Sequence, residues 1–163
     1  MFGEDVLVPA RRLLESSRAK SLRLATAESC TGGLIIGALT EIAGSSDVVD
    51  RGFVTYSNEA KSELLGVPAS LIASHGAVSA EVAEAMAEGA LGHAPVDLAV
   101  SVTGVAGPGG ATATKPVGLV YFGIMRRGRA CRCERQVFAG DRSAVRRAAT
   151  ARALALLLEA AQN

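Results

Sequence analysis

Three stretches of this chain gather hydroxyls, amides and glycines at spacings that could hold or attack a polar ligand. The first is Thr26-Ala27-Glu28-Ser29-Cys30-Thr31-Gly32-Gly33, set between the apolar runs Leu22 to Ala25 and Leu34 to Leu39. A strand, a glycine-rich turn and a helix in that order can hold an anion. First-turn N–H groups lack partners and sit at the positive end of the helix dipole. Ser29 and Thr31 add hydroxyls, and Gly32 and Gly33 allow close approach to the backbone; the same residues also read as a well-capped helix start. The second stretch runs from Gly44 to Lys61, with Ser45 and Ser46 in a turn, Tyr56 at a strand end, and Asn58 and Lys61 in a short helix. A lysine drawn into a pocket loses solvation, its pKa falls, and it can serve as general base to a serine, with Tyr56 bonding the amine and shuttling the proton. A solvated lysine is the plainer reading. Ser57 stands four residues before Lys61, so the S-x-x-K spacing is absent. The third stretch, Thr103 to Pro116, carries Gly104, Gly107, Gly109 and Gly110 and reads as a loop.

Other reactive side chains offer less. Cys30 near a helix N-terminus could have a lowered pKa, but it lacks a base nearby and reads as a small core residue. His75 and His93 read as surface or capping residues, and no spacing suits a metal. Arg142 directly follows Asp141 at the start of the last helix, where a cation opposes the dipole. It is a candidate clamp for a phosphate or carboxylate, or a salt-bridge partner of Glu28.

These residues need elements to bring them together. The patterning predicts strands over 22–28, 48–56 and 96–102, and helices over 32–42 and 142–161, with a helix capped by Ser79 between them. Two further strands, 117–126 and 129–138, read as an antiparallel hairpin turning at Arg127-Gly128. One α/β domain over 1–163 follows, with a mixed sheet. In such sheets ligands sit beyond the carboxyl ends of the parallel strands. Ser29, Tyr56 and Thr103 all follow strand ends, so the three stretches would line one rim.

Composition sets the remaining bounds. The chain has 163 residues, 49% hydrophobic and 20% charged, no Trp and six other aromatics, so its core must be aliphatic. No apolar run reaches spanning length and no signal peptide is visible, which makes a cytoplasmic protein without membrane attachment the expectation. Three cysteines argue against a disulfide framework. Net charge is +1, yet Arg126 to Arg152 holds nine arginines against two acids, a local balance of +7. Such asymmetry can mean nucleic acid, a phosphorylated small ligand or a face that pairs with an acidic one. Only Phe138 lies among these arginines, which disfavours a base-stacking surface.

Taken together, AESCTGG at 27–33, GFVTYSNEAK at 52–61, HGAVSAEVAEAMAEGA at 75–90, SVTGVAGPGGATATKPVG at 101–118 and GDR at 140–142 resemble the carboxy-terminal domain of CinA and its stand-alone forms, the nicotinamide-nucleotide amidases. The resemblance implies a three-layer α/β/α sandwich with one antiparallel strand in a sheet of about five. It also implies hydrolysis of the carboxamide of nicotinamide mononucleotide to nicotinate mononucleotide and ammonia, without metal or other cofactor. Carried over, Ser46 would be the nucleophile, with Ser29 the second candidate, Lys61 the base and Tyr56 an assisting group. Thr103 and Gly104 would lie near the reacting amide, Arg142 would bind the ligand, and Thr31, Gly32, Gly33 and Asn58 would line its site. The expected partner is thus a phosphorylated pyridine nucleotide, together with further copies of the chain in a homo-oligomer. The alternative is a non-catalytic pyridine-nucleotide-binding module of the same family.

Overall fold

A computed structural model describes residues 2–163. The chain runs α1 (Glu4–Ala19), β1 (Leu24–Glu28), α2 (Leu34–Thr40), a 3-10 turn (Ser45–Asp47), β2 (Val49–Val54), α3 (Asn58–Leu65), α4 (Ala69–His75), α5 (Ala80–Gly92), β3 (Leu98–Gly104), β4 (Leu119–Arg126), β5 (Arg132–Val137) and α6 (Arg142–Gln162). The sheet order is β2-β1-β3-β4-β5. β1 pairs parallel with β2 and β3, while β4 pairs antiparallel with β3 and β5, so β4 alone opposes the other four strands.

Alternation along the strands makes the layers, because successive side chains of a strand point to opposite faces. Leu24, Leu98, Val100 and Val102 face α1, α2 and α6, where they pack with Leu13, Ile35, Val145 and Leu157. Ala25, Ala27 and Ala99 face the other way, onto Leu65, Ile72, Val82 and Met86 of α3, α4 and α5. The result is the expected α/β/α sandwich. Small residues on the second face let α5 lie close: a methyl group at Gly123 of β4 would collide with the Ala83 carbonyl.

β1 and β4 begin two residues later than expected, at Leu24 and Leu119, and β2 ends at Val54 rather than Tyr56; three other boundaries shift for local reasons. α2 begins at Leu34 rather than Gly32, because Gly32 and Gly33 have φ of +59° and +94°, outside the helical region. β3 begins at Leu98 and extends to Gly104, since Thr103 and Gly104 continue the ladder opposite Tyr121 and Val120. β5 begins at Arg132, leaving a wider turn after Arg126. Ser57, Ser79 and Asp141 accept from Ala60, Val82 and Ala144 N–H at the starts of α3, α5 and α6, whereas no hydroxyl caps α2, whose N-cap is Gly33, and α1 starts before Asp5 with Gly3 as its N-cap.

Candidate active site

Ser29 and Lys61 meet at the carboxyl end of the sheet. Ser29 extends β1 by one residue, its N–H donating to Val102 O at 2.9 Å. Strand alternation turns it toward the layer that contains α3, on which Ser57 caps the first turn and Lys61 points inward. Lys61 Nζ lies 3.2 Å from Ser29 Oγ, 3.0 Å from Thr55 O, and 3.4 and 3.5 Å from Ser57 O and Tyr56 O. The lysine is only 1% exposed and has no carboxylate partner among the described residues. Its pKa is lowered, chiefly because burial penalises the ammonium form. Three carbonyls fix the amine beside the Ser29 hydroxyl, so the same nitrogen, once deprotonated, lies within reach of the serine proton. That geometry suits proton transfer from serine to lysine.

Tyr56 contacts this pair through its backbone rather than its phenol. Its carbonyl faces Lys61, whereas its hydroxyl accepts from Arg142 Nη2 at 3.0 Å. Arg142 Nη1 donates to Gly107 O at 2.9 Å, so the arginine ties the β2–α3 and β3–β4 connections to the start of α6. It makes no bond to Glu28. Beside it, Ala106, Pro108, Val117 and Gly140 to Ser143 enclose a cleft of about 480 Å³. Tyr56 itself is 62% exposed.

The turn expected to hold an anion already holds one from its own chain. Glu28 is fully buried, and its Oε2 accepts from Gly33 and Ile35 N–H at 3.0 and 3.1 Å. Its Oε1 accepts from Ile36 N–H at 2.9 Å and from the Thr26 hydroxyl at 3.1 Å. Gly32 and Gly33 shape the turn, and the Gly33 N–H is taken up by Glu28. Thr31 is buried as well, its hydroxyl without a partner and its carbonyl bonded to Arg146 Nη2 at 3.0 Å. Strand parity with Leu24 and Thr26 marks Glu28 as inward-facing, but it does not tie the carboxylate to the helix that follows.

Several other candidates lie apart from Lys61. Ser46 is exposed in the 3-10 turn that enters β2, whereas Lys61 lies past the far end of that strand. Six strand residues span roughly 20 Å, so within one chain Ser46 cannot reach Lys61. Thr103 Oγ1 donates to Ala77 O at 2.7 Å, anchoring the segment before α5. A methyl group at Gly104 would meet Leu119 O at 2.7 Å, so close strand packing explains that glycine. Asn58 lines a separate groove with Glu59, Ser62 and Glu63. Cys30 is a buried thiol pushed up to about 11, by burial first and with Glu28 adding to it, and is no rival nucleophile. Among the described residues no cluster of metal-ligating side chains occurs and no helix is long and apolar enough to cross a membrane.

The family model for the CinA C-terminal domain matches residues 8–161. The chain belongs to the CinA C-terminal domain family. It is 56% identical over 146 residues to a "CinA-like protein" of Citrifermentans bemidjiense, covering 90% of this chain but 35% of that protein. Thus it spans about a third of the length of that longer relative. It is 46% identical to "Nicotinamide-nucleotide amidohydrolase PncC" of Escherichia coli K12, covering 96% of this chain and 95% of that one. Among solved CinA-family structures, the competence/damage inducible protein CihA from Agrobacterium tumefaciens superposes with a TM-score of 0.96 at 46% identity, over 100% and 99% of the two chains.

Proposed function

We propose that this chain, acting as one domain, hydrolyses the carboxamide of nicotinamide mononucleotide, with Ser29 as nucleophile and Lys61 as base. The observation that carries the reading is the 3.2 Å contact between Ser29 Oγ and a buried Lys61 Nζ. The near full-length match to a protein named for this activity supports the substrate. Neutral Lys61 takes the Ser29 proton as Oγ attacks the amide carbon; the same proton then goes to the departing nitrogen, which leaves as ammonia. Water hydrolyses the resulting ester, Lys61 again moving the proton, and nicotinate mononucleotide is released with Ser29 restored.

The start of α2 is filled by Glu28 and the start of α6 is capped by Asp141, whereas Arg142 borders the open cleft. A charge-assisted bond from Arg142 suits a phosphate there. Tyr56 links that cleft and the Ser29–Lys61 pair, its hydroxyl accepting from Arg142 and its carbonyl facing Lys61. Ammonia release from nicotinamide mononucleotide is expected to fall by about 10³-fold or more in Ser29→Ala and Lys61→Ala, and to stay near wild type in Ser46→Ala. An active Lys61→Ala or an inactive, folded Ser46→Ala would sink the mechanism. Ligand-induced thermal stabilisation without turnover would instead favour the non-catalytic module.

A further inference from the structure

Glu28 is the one buried carboxylate among the described residues, and the proposed chemistry leaves it unused. We propose that Glu28 is a positioning residue: an internal anion, bound by the start of α2, that fixes the Ser29 hydroxyl against Lys61. The inference rests on the Ser29–Lys61 reading above.

Backbone and side chain of Glu28 are held independently. Its carbonyl accepts from Thr55 N–H at 2.9 Å on the β2 side, and the next residue donates to Val102 O on the β3 side. Its carboxylate then gathers three N–H groups of the following turn and helix plus the Thr26 hydroxyl. Helix starts leave such N–H groups without intrahelical partners, and the N-cap residue of α2, Gly33, has no side chain to take them. The chain thus leaves the sheet at Ser29, passes through two left-handed glycines and is pulled back onto the side chain it has just left. With residues 28 and 33 to 36 pinned together, the intervening turn has little room to shift, and the Ser29 Oγ position depends chiefly on its own χ1. A glutamine at 28 would keep the size but aim its NH₂ at N–H donors, leaving some of them unsatisfied. A displacement of about 1 Å between reacting groups can cost on the order of 100-fold in rate.

The test measures kcat, KM and the pH dependence of kcat for ammonia release from nicotinamide mononucleotide, with circular dichroism to establish folding. Glu28→Gln is expected to lower kcat by about 10- to 100-fold while KM and the pH midpoint stay near wild type. Thr26→Val, which removes one donor to Glu28 and keeps the shape of the side chain, is expected to give a smaller fall of the same kind. Wild-type kcat in folded Glu28→Gln overturns the proposal, as does a fall carried by KM alone or a shifted midpoint at unchanged plateau rate. Where Glu28→Gln does not fold, Thr26→Val is judged by the same readings. The two readings fail separately. Turnover in Ser29→Ala removes the nucleophile and this proposal with it, whereas an inactive Ser29→Ala beside a fully active Glu28→Gln removes only the role of Glu28.

Discussion

A lysine sealed among carbonyls has consequences for rate and stability that run in the same direction with pH. Burial lowers the Lys61 pKa below its ordinary value of 10.5, so the folded chain holds fewer protons than the unfolded chain just below pH 10.5. Stability contributed by this group therefore rises with pH, from the lowered pKa up to the ordinary one. Chemical denaturation of wild type and Lys61→Met at pH 7 and pH 9.5 isolates the effect, because other titrations are shared. The difference between the two is expected to move in favour of wild type at the higher pH, and a constant difference counts against a lowered pKa. Amide hydrolysis should climb over the same range, since only the neutral amine accepts the Ser29 proton. Residue types alone offered Lys61 as a candidate base against the plainer solvated reading, and the 26–33 turn as a candidate anion site against a capped helix start. What they hid was geometry: β2 runs from Ser46 toward Lys61, so nearness in sequence became opposite ends of a strand. The anion at the turn was hidden too, because nothing local says that Glu28 folds back onto the helix that follows it.

Elements were more legible than side chains, since alternation and caps are local signals. Ser57, Ser79 and Asp141 mark helix starts that the structure contains, and the Val96–Val102 run lies on β3 with a two-residue shift. The packing of one helix on another left a fainter mark, in glycines that need no special φ. Gly89 lies inside α5, and a methyl group there would collide with the Leu65 carbonyl at the end of α3. α3 carries Lys61, so the contact links helix packing to the site. Gly89→Ala is expected to destabilise the fold by about 1–3 kcal/mol, the usual range for overpacking, and to lower kcat by moving α3 relative to Ser29. Gly92, at the end of the same helix, has nothing within 4 Å of such a methyl. Gly92→Ala serves as the control and is expected to be neutral or stabilising by up to about 1 kcal/mol, as helix propensity dictates. Thermal melts and ammonia release on the two variants separate collision from propensity; equal effects would remove the packing argument.

At the scale of the whole molecule, most of the arginine-rich stretch is engaged in the architecture. Arg126 donates to Ala160 O and Arg129 to Asn163 O, at the carboxyl end of α6, where Lys20 also binds Ala161 O and Gln162 O. Arg127 donates to Leu91 O and Val96 O, closing the end of α5 onto the sheet. Arg152 pairs with Glu134 and Glu159, Arg132 with Glu159, and Arg147 with Asp5, while Arg142 and Arg146 hold the loops around the site. Cations at helix carboxyl ends satisfy last-turn carbonyls and complement the dipole, which explains why so many sit between β4 and α6. Eight of these nine side chains are held by carbonyls or carboxylates, so few are free to reorient toward the phosphates of a duplex. Binding to duplex DNA is therefore expected to be weak at 150 mM salt and to change little as salt is lowered; a steep logarithmic salt dependence would contradict this. Arg127→Met tests the architectural role directly. It should lower unfolding free energy by about 1–2 kcal/mol, the usual range for an exposed charged donor to carbonyls, with kcat near wild type because α5 meets the sheet there at the end opposite Ser29. Unchanged stability, or lost DNA binding as its only effect, would return the arginines to the surface.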